Sequence, residues 1–128
     1  MKIPNDLLYT ETHEWVRVED NQITIGITDY AQSQLKDVVY VELPEIGSIY
    51  KKGDPIGSVE SVKTVSDIFS PVSGRVRETN IALKDQPDLI NKDPYGKGWI
   101  VRMEVSDKKE LLGLLSAKAY EDFLSKEN

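Results

Sequence analysis

The chain has 128 residues, 39% hydrophobic and 30% charged, which is the make-up of one folded domain able to bury roughly two thirds of its unfolded surface. Sixteen Lys and Arg against twenty-two Asp and Glu leave a net charge of −6, a field that repels nucleic-acid backbones and anionic lipid surfaces. No apolar run approaches the ~20 residues of a membrane helix, no cysteine offers a disulfide or thiolate metal site, and one histidine cannot build a His-rich metal centre.

The opening MKIPNDLLYTETHEW has no apolar signal-peptide core and no Arg/Ser-rich transit pattern, so a cytoplasmic protein is expected. In HEWVRVEDNQITIGIT, residues 13–28, Val16 and Val18 alternate with polar neighbours. After the polar Asp20-Asn21, Ile23, Ile25 and Ile27 alternate again, which predicts a β-hairpin. Thr28-Asp29 then supplies a helix start, and Ala31, Leu35 and Val38 at spacings of four and three predict a short amphipathic helix. The run VVYVEL, Val38 to Leu43, is apolar at almost every position and reads as a strand covered on both faces, stopped by Pro44.

Turn residues recur at Gly47, Gly53-Asp54-Pro55, Ser70-Pro71 and Gly74, the spacing of short strands in a sandwich or barrel. Residues 80–98 form the longest irregular stretch, broken by Pro87, Pro94, Gly96 and Gly98. WIVRMEV, Trp99 to Val105, alternates as a closing strand with Trp99, Val101, Met103 and Val105 on one face. Ser106 and Ser116 are N-cap residues for two terminal helices, KKELLGLL and AKAYEDFL.

The central segment GSVESVKTVSDIFSPVSG poses the functional question, because Lys63 stands in a β-branched run bounded by Gly57 and Pro71. Folding two strands about Val62-Lys63 sets Ser61 opposite Thr64 and Val59 opposite Ser66, with the lysine at the tip. Gly53 and Gly74 then stand ten and eleven residues from it, a weak internal two-fold. No Gly, Asn or Asp marks a tight primed turn there. A hairpin tip is the wrong place for a Schiff-base lysine, which needs desolvation, and the right one for a covalent attachment point, which needs an exposed amine on a stiff support.

GDPIGSVESVKTVSDIFSPVSGRV resembles the attachment segment of the biotinyl/lipoyl carrier superfamily. In its ESVK, SD and SPVSG elements it is similar to the glycine cleavage system H proteins. YTETHEWVRVE, ITIGITDYAQSQL, VVYVELPEIG, DPYGKGWIVRMEV and LLSAKAYEDFL are similar to that family in the same order, so the likeness covers nearly the whole chain. It implies a mainly β fold, a hybrid barrel-sandwich of two small antiparallel sheets with short peripheral helices, two of them at the C-terminus. One lipoyl-carrier domain would span 1–128, with a core at about 9–106 and helices at about 107–124.

The resemblance further implies lipoic acid in amide linkage to Lys63 and no catalytic residue or metal in the carrier itself. Its partners would be a pyridoxal-phosphate-dependent glycine decarboxylase, a tetrahydrofolate-dependent aminomethyltransferase, dihydrolipoamide dehydrogenase and the lipoate-attaching enzymes, with the carrier a monomer. An H-like relay that passes lipoate to other carriers, or acts in redox signalling, is the alternative. A cysteine-free support suits a dithiol arm, since a nearby thiol would exchange with it. Glu14, in THEWV, is the candidate to pair with the cationic amine of an aminomethyl-loaded arm; otherwise it is a solvated strand-edge charge.

Tyr30 stands where some relatives carry His, so no imidazole acts there. His13 and Trp15 are expected to anchor the first strand rather than to touch a cofactor. Glu60 and Asp67, on the two arms of the hairpin, either guide the lipoylating enzyme or guard an exposed edge. Asp93-Pro94-Tyr95-Gly96 reads first as turn chemistry.

Overall fold

The computed structural model describes residues 1–127. Its strands, in chain order, are β1 (Leu8–Tyr9), β2 (Glu14–Glu19), β3 (Gln22–Ile27), β4 (Val38–Glu42), β5 (Ile49–Tyr50), β6 (Pro55–Ser61), β7 (Val65–Phe69), β8 (Gly74–Thr79) and β9 (Val101–Val105). They form a six-stranded sheet in the order β1-β2-β3-β9-β8-β5 and a three-stranded sheet in the order β4-β6-β7, antiparallel throughout. Val16, Ile23, Ile25, Val76 and Met103 from the first sheet meet Val41, Val59 and Ile68 from the second in one buried core. The expected mainly β barrel-sandwich is therefore present, as two open sheets of unequal size that do not close into one barrel.

The hairpin predicted for residues 13–28 is β2-β3, paired from Glu14↔Ile27 to Glu19↔Gln22. Asp20 makes the turn with a φ of 57°, a left-handed conformation that Asp tolerates. Helix α1 (Asp29–Leu35) follows, its first turn closed by Thr28 Oγ1 accepting from the Ala31 N–H at 3.2 Å.

Four expectations need correction. VVYVEL is not covered on both faces: β4 is an edge strand whose pairing slips between Val38 and Tyr40, so Val38 and Val41 are buried while Val39 and Tyr40 are about half exposed. Within residues 80–98 lie two single-turn helices, α2 (Ala82–Asp85) and α3 (Leu89–Lys92), each sinking one aliphatic side chain, Leu83 or Ile90, fully into the core. The closing strand begins at Val101 rather than Trp99; Ile100 is the buried residue, and the Trp99 ring lies 4.1 Å beneath the Arg102 guanidinium. KKELLGLL forms a 3₁₀ helix, Lys108–Gly113, capped by Asp107 accepting from the Lys109 N–H instead of by Ser106. Its six residues bury none of their side chains, so no apolar stripe holds a longer α-helix there.

The last helix, α4 (Ala117–Glu127), is capped as expected by Ser116 Oγ, which accepts from the Ala119 N–H. A second buried cluster fastens it to the N-terminal strands: Tyr120 stacks on Tyr9 with ring centroids 4.8 Å apart, and Trp15, Leu7 and Leu124 complete the cluster. The turn 93–96 behaves as predicted, with Asp93 accepting from the Gly96, Lys97 and Gly98 amides. Its carbonyls at Pro94 and Tyr95 accept from Trp15 Nε1 and Arg17 Nη2, locking the loop against β2.

Candidate functional site: the lysine hairpin and its cleft

β6 and β7 pair with Val59↔Ser66 and Glu60↔Val65, and the Ser61 N–H donates to Thr64 O at 2.8 Å. This is the register that folding about Val62-Lys63 requires. Val62, Lys63 and Thr64 all stand exposed at the tip, Val62 at 78%.

The missing turn residues have a structural explanation. Among the described residues the non-glycine positive φ angles fall at His13, Asp20 and Lys36, so the tip needs no left-handed residue. Ser61 closes the turn instead: its Oγ accepts from the Lys63 and Thr64 N–H groups at 3.3 and 3.2 Å and donates to Thr64 O. Ser61 is itself buried, so the support beneath the lysine is rigid. A serine at the first position of a four-residue turn was the available sequence signal, and residue-by-residue alternation hid it.

Behind the hairpin lies a cleft of about 380 Å³ between β7 and α1. Thr64, Val65 and Asp67 form one wall, Tyr30 and Leu35 the other, and Glu14 borders it from β2. The cleft thus begins at the residue after Lys63. Glu14 is no solvated edge charge, because only 1% of it is exposed.

Burial pushes the Glu14 carboxyl above the usual carboxylate range, and hydrogen bonds donated by Thr10, Thr12 and the Phe69 amide oppose that rise. Oε1 takes both threonine hydroxyls and Oε2 takes the Phe69 N–H at 3.2 Å. Among the described residues Glu14 has no cationic partner. Hydrogen-bond donors alone therefore compensate its burial.

The turn leading into β2 aims this carboxylate inward. His13 sits at φ 72°, a conformation in which His is enriched, and its N–H and C=O bond to Thr10 O and to the Thr28 N–H. Its Nδ1 lies 2.8 Å from Tyr120 Oη, which also meets Thr28 Oγ1 at 2.8 Å. His13 and Trp15 are accordingly anchors, as expected, although His13 also lines the cleft, where Tyr30 packs 4.8 Å from its ring. Asp67 lines the same cleft, whereas Glu60 pairs with Val65 outside it. Sequence reasoning missed Thr10 and Phe69: a loop hydroxyl and a backbone amide carry no periodicity.

An exposed amine on a β-hairpin in a two-sheet sandwich of this order defines a barrel-sandwich domain of the biotinyl/lipoyl type. The model of the glycine cleavage H-protein family matches residues 7–127. The chain is 56% identical over 124 residues to the glycine cleavage system H protein of Oceanobacillus iheyensis, covering 97% of this chain and 98% of that protein. It is 54% identical over the same length to that of Listeria monocytogenes, covering 97% and 99%. The crystal structure of a glycine cleavage system H protein from Mycobacterium marinum superposes with a TM-score of 0.83 at 37% identity, covering 97% of this chain and 98% of the other. This chain belongs to the glycine cleavage H-protein family.

Proposed function

We propose that the whole chain acts as a single non-catalytic carrier domain, bearing lipoic acid in amide linkage on Lys63. It shuttles the aminomethyl group of glycine from the pyridoxal-phosphate-dependent decarboxylase to the tetrahydrofolate-dependent aminomethyltransferase. One observation carries this reading: an open amine on a stiff turn, with a cleft starting at its neighbour and a cation-less buried carboxylate in that cleft.

The site residues fit the group. Lys63 makes no ion pair among the described residues, so acylating it removes a positive charge without stripping a partner. The lysine is exposed, and a modifying enzyme reaches it without unfolding the hairpin. When bound, the dithiolane supplies the redox and one-carbon-accepting chemistry, with dihydrolipoamide dehydrogenase returning it to the disulfide.

The chain's own residues hold and shelter. Glu14 offers a carboxylate to a cationic amine brought into the cleft, and the apolar walls from Ile27, Leu35 and Ile68 keep water from it. Val62 and Val65, exposed at 78% and 58% beside the lysine, give partners an apolar grip on the tip. Acting in turn on separate enzymes, the carrier works as a cytoplasmic monomer; no helix among the described residues is long and apolar enough to cross a membrane.

Exchange of labelled carbon dioxide into glycine, run with the decarboxylase and the lipoylated chain, tests the reading. Exchange that needs Lys63 is expected. Absence of any such dependence rejects the shuttle and favours the relay.

A further inference from the structure

Glu14 lies in the wall between two clefts. The first adjoins the lysine hairpin. The second, about 450 Å³, opens on the other side among Tyr9, Thr10, Lys52, Phe69 and Leu114. Thr12 borders both, but Thr10 borders only the second. Thr10 therefore holds the carboxylate from behind, out of the space next to Lys63.

The hydrogen-bond arithmetic gives that grip a consequence. A hydroxyl has one proton, and Thr10 and Thr12 both commit theirs to Glu14 Oε1. Thr10 Oγ1 also accepts from the Glu14 N–H at 3.0 Å, so one hydroxyl grips main chain and side chain together. Oε1 takes the two hydroxyls and Oε2 takes the Phe69 N–H, so Thr10 supplies one of the bonds that fix the direction of the carboxylate. We infer that Thr10 is a positioning residue: gripping the Glu14 main chain and carboxylate together from the second cleft, it fixes that carboxylate in the wall shared with the lysine cleft, where it meets a cationic amine.

This rests on the carrier reading of the cleft. Every group hydrogen-bonded to the carboxylate is a donor, which selects the ionised form, and their pull offsets part of the rise that burial imposes. The other charged or titratable groups facing the two clefts are His13, Tyr30 and Asp67 on the hairpin side and Tyr9, Glu11 and Lys52 on the other.

The test compares Thr10→Val, which removes the hydroxyl at constant shape, with Thr10→Ser, which restores it. The first readout is the Glu14 titration followed by carbon NMR in the unlipoylated chain, which needs neither cofactor nor partner. Thr10→Val is expected to move the Glu14 midpoint upward by about one pH unit, the worth of one hydrogen bond to a charged group, and Thr10→Ser to return it. The second readout is the lifetime of the aminomethyl load on the lipoylated chain, expected to shorten several-fold in Thr10→Val and to recover in Thr10→Ser. An unmoved midpoint and lifetime in Thr10→Val, with Glu14→Gln still shortening the lifetime, overturns the inference and leaves the carrier reading standing. A lifetime indifferent to Glu14→Gln instead removes the carrier role of the cleft, whatever the titration shows. Thr10→Ala supplies a smaller replacement if valine disturbs the fold.

Discussion

The amide of Phe69 donates to the carboxylate of Glu14 across 55 positions of sequence, joining the end of the lysine hairpin to β2 of the opposite sheet. One side chain thus borders the cleft and ties its β7 wall to β2. The residue proposed to meet the cargo is also a structural tie, and substitutions there need readouts that separate the two roles.

Lys63→Arg keeps charge and length at an exposed tip that makes no ion pair among the described residues. Its stability should stay within about 0.5 kcal/mol of the parent, while the acylatable amine is gone. Intact-mass measurement after incubation with a lipoate-attaching enzyme should show an adduct on the parent and none on the variant. An adduct on the variant would place the attachment elsewhere.

Glu14→Gln isolates the buried charge. Because burial raises the Glu14 midpoint in the folded state, its contribution to stability is fully present below the ordinary carboxyl value of 4.5 and is lost as pH rises through the folded value. Acidification from neutral pH should therefore shift the Tm difference between parent and variant in the parent's favour. A difference that is flat across this range, measured by thermal melts at several pH values, contradicts a raised midpoint.

Ser61→Ala strips the hydroxyl that closes the lysine turn, leaving the Lys63 and Thr64 amides to solvent. A loss of about 1 kcal/mol is expected, as for removal of a helix cap. Faster amide exchange at residues 62–64 should accompany it, along with slower lipoylation, because a loosened tip presents the amine less consistently.

Tyr95→Phe probes the opposite end of the pH scale. Burial, as the largest cause, pushes the Tyr95 phenol up to about 12. Its stabilisation is present below the unfolded value of 10 and is lost as pH climbs through the folded one. The phenol accepts from the Asp29 N–H and donates to Lys2 O, so the variant should lose roughly 1–2 kcal/mol near neutrality. Between pH 10 and 12 it should lose stability less steeply than the parent, which denaturant melts at stepped alkaline pH would detect.

The hairpin around Lys63 was readable because β-branched residues on both arms and breakers at nearly equal distances constrain where a strand can reverse. β4 misled for the converse reason: an apolar run implies two covered faces only in a central strand, and nothing in VVYVEL discloses that a slipped edge strand leaves Val39 and Tyr40 outside. Leu83 and Ile90, each alone on a single helical turn, are too few to mark a helical period. Thr28 and Ser116 were legible caps because each directly precedes an amphipathic stripe, whereas Asp107 precedes none. In the site, the family likeness pointed to Glu14, but its burial depends on a left-handed His13 and on a strand 55 positions away, neither visible in local pattern.

Tyr120, eight residues before the end of the chain, bonds through its hydroxyl to His13 and Thr28, the residues on either side of the β2-β3 hairpin that carries Glu14. Helix α4 is thus the clasp on that hairpin. Because the β6-β7 hairpin makes its turn without α4, cutting the chain ahead of that helix should leave the Lys63 tip formed while unfastening the strand that aims Glu14.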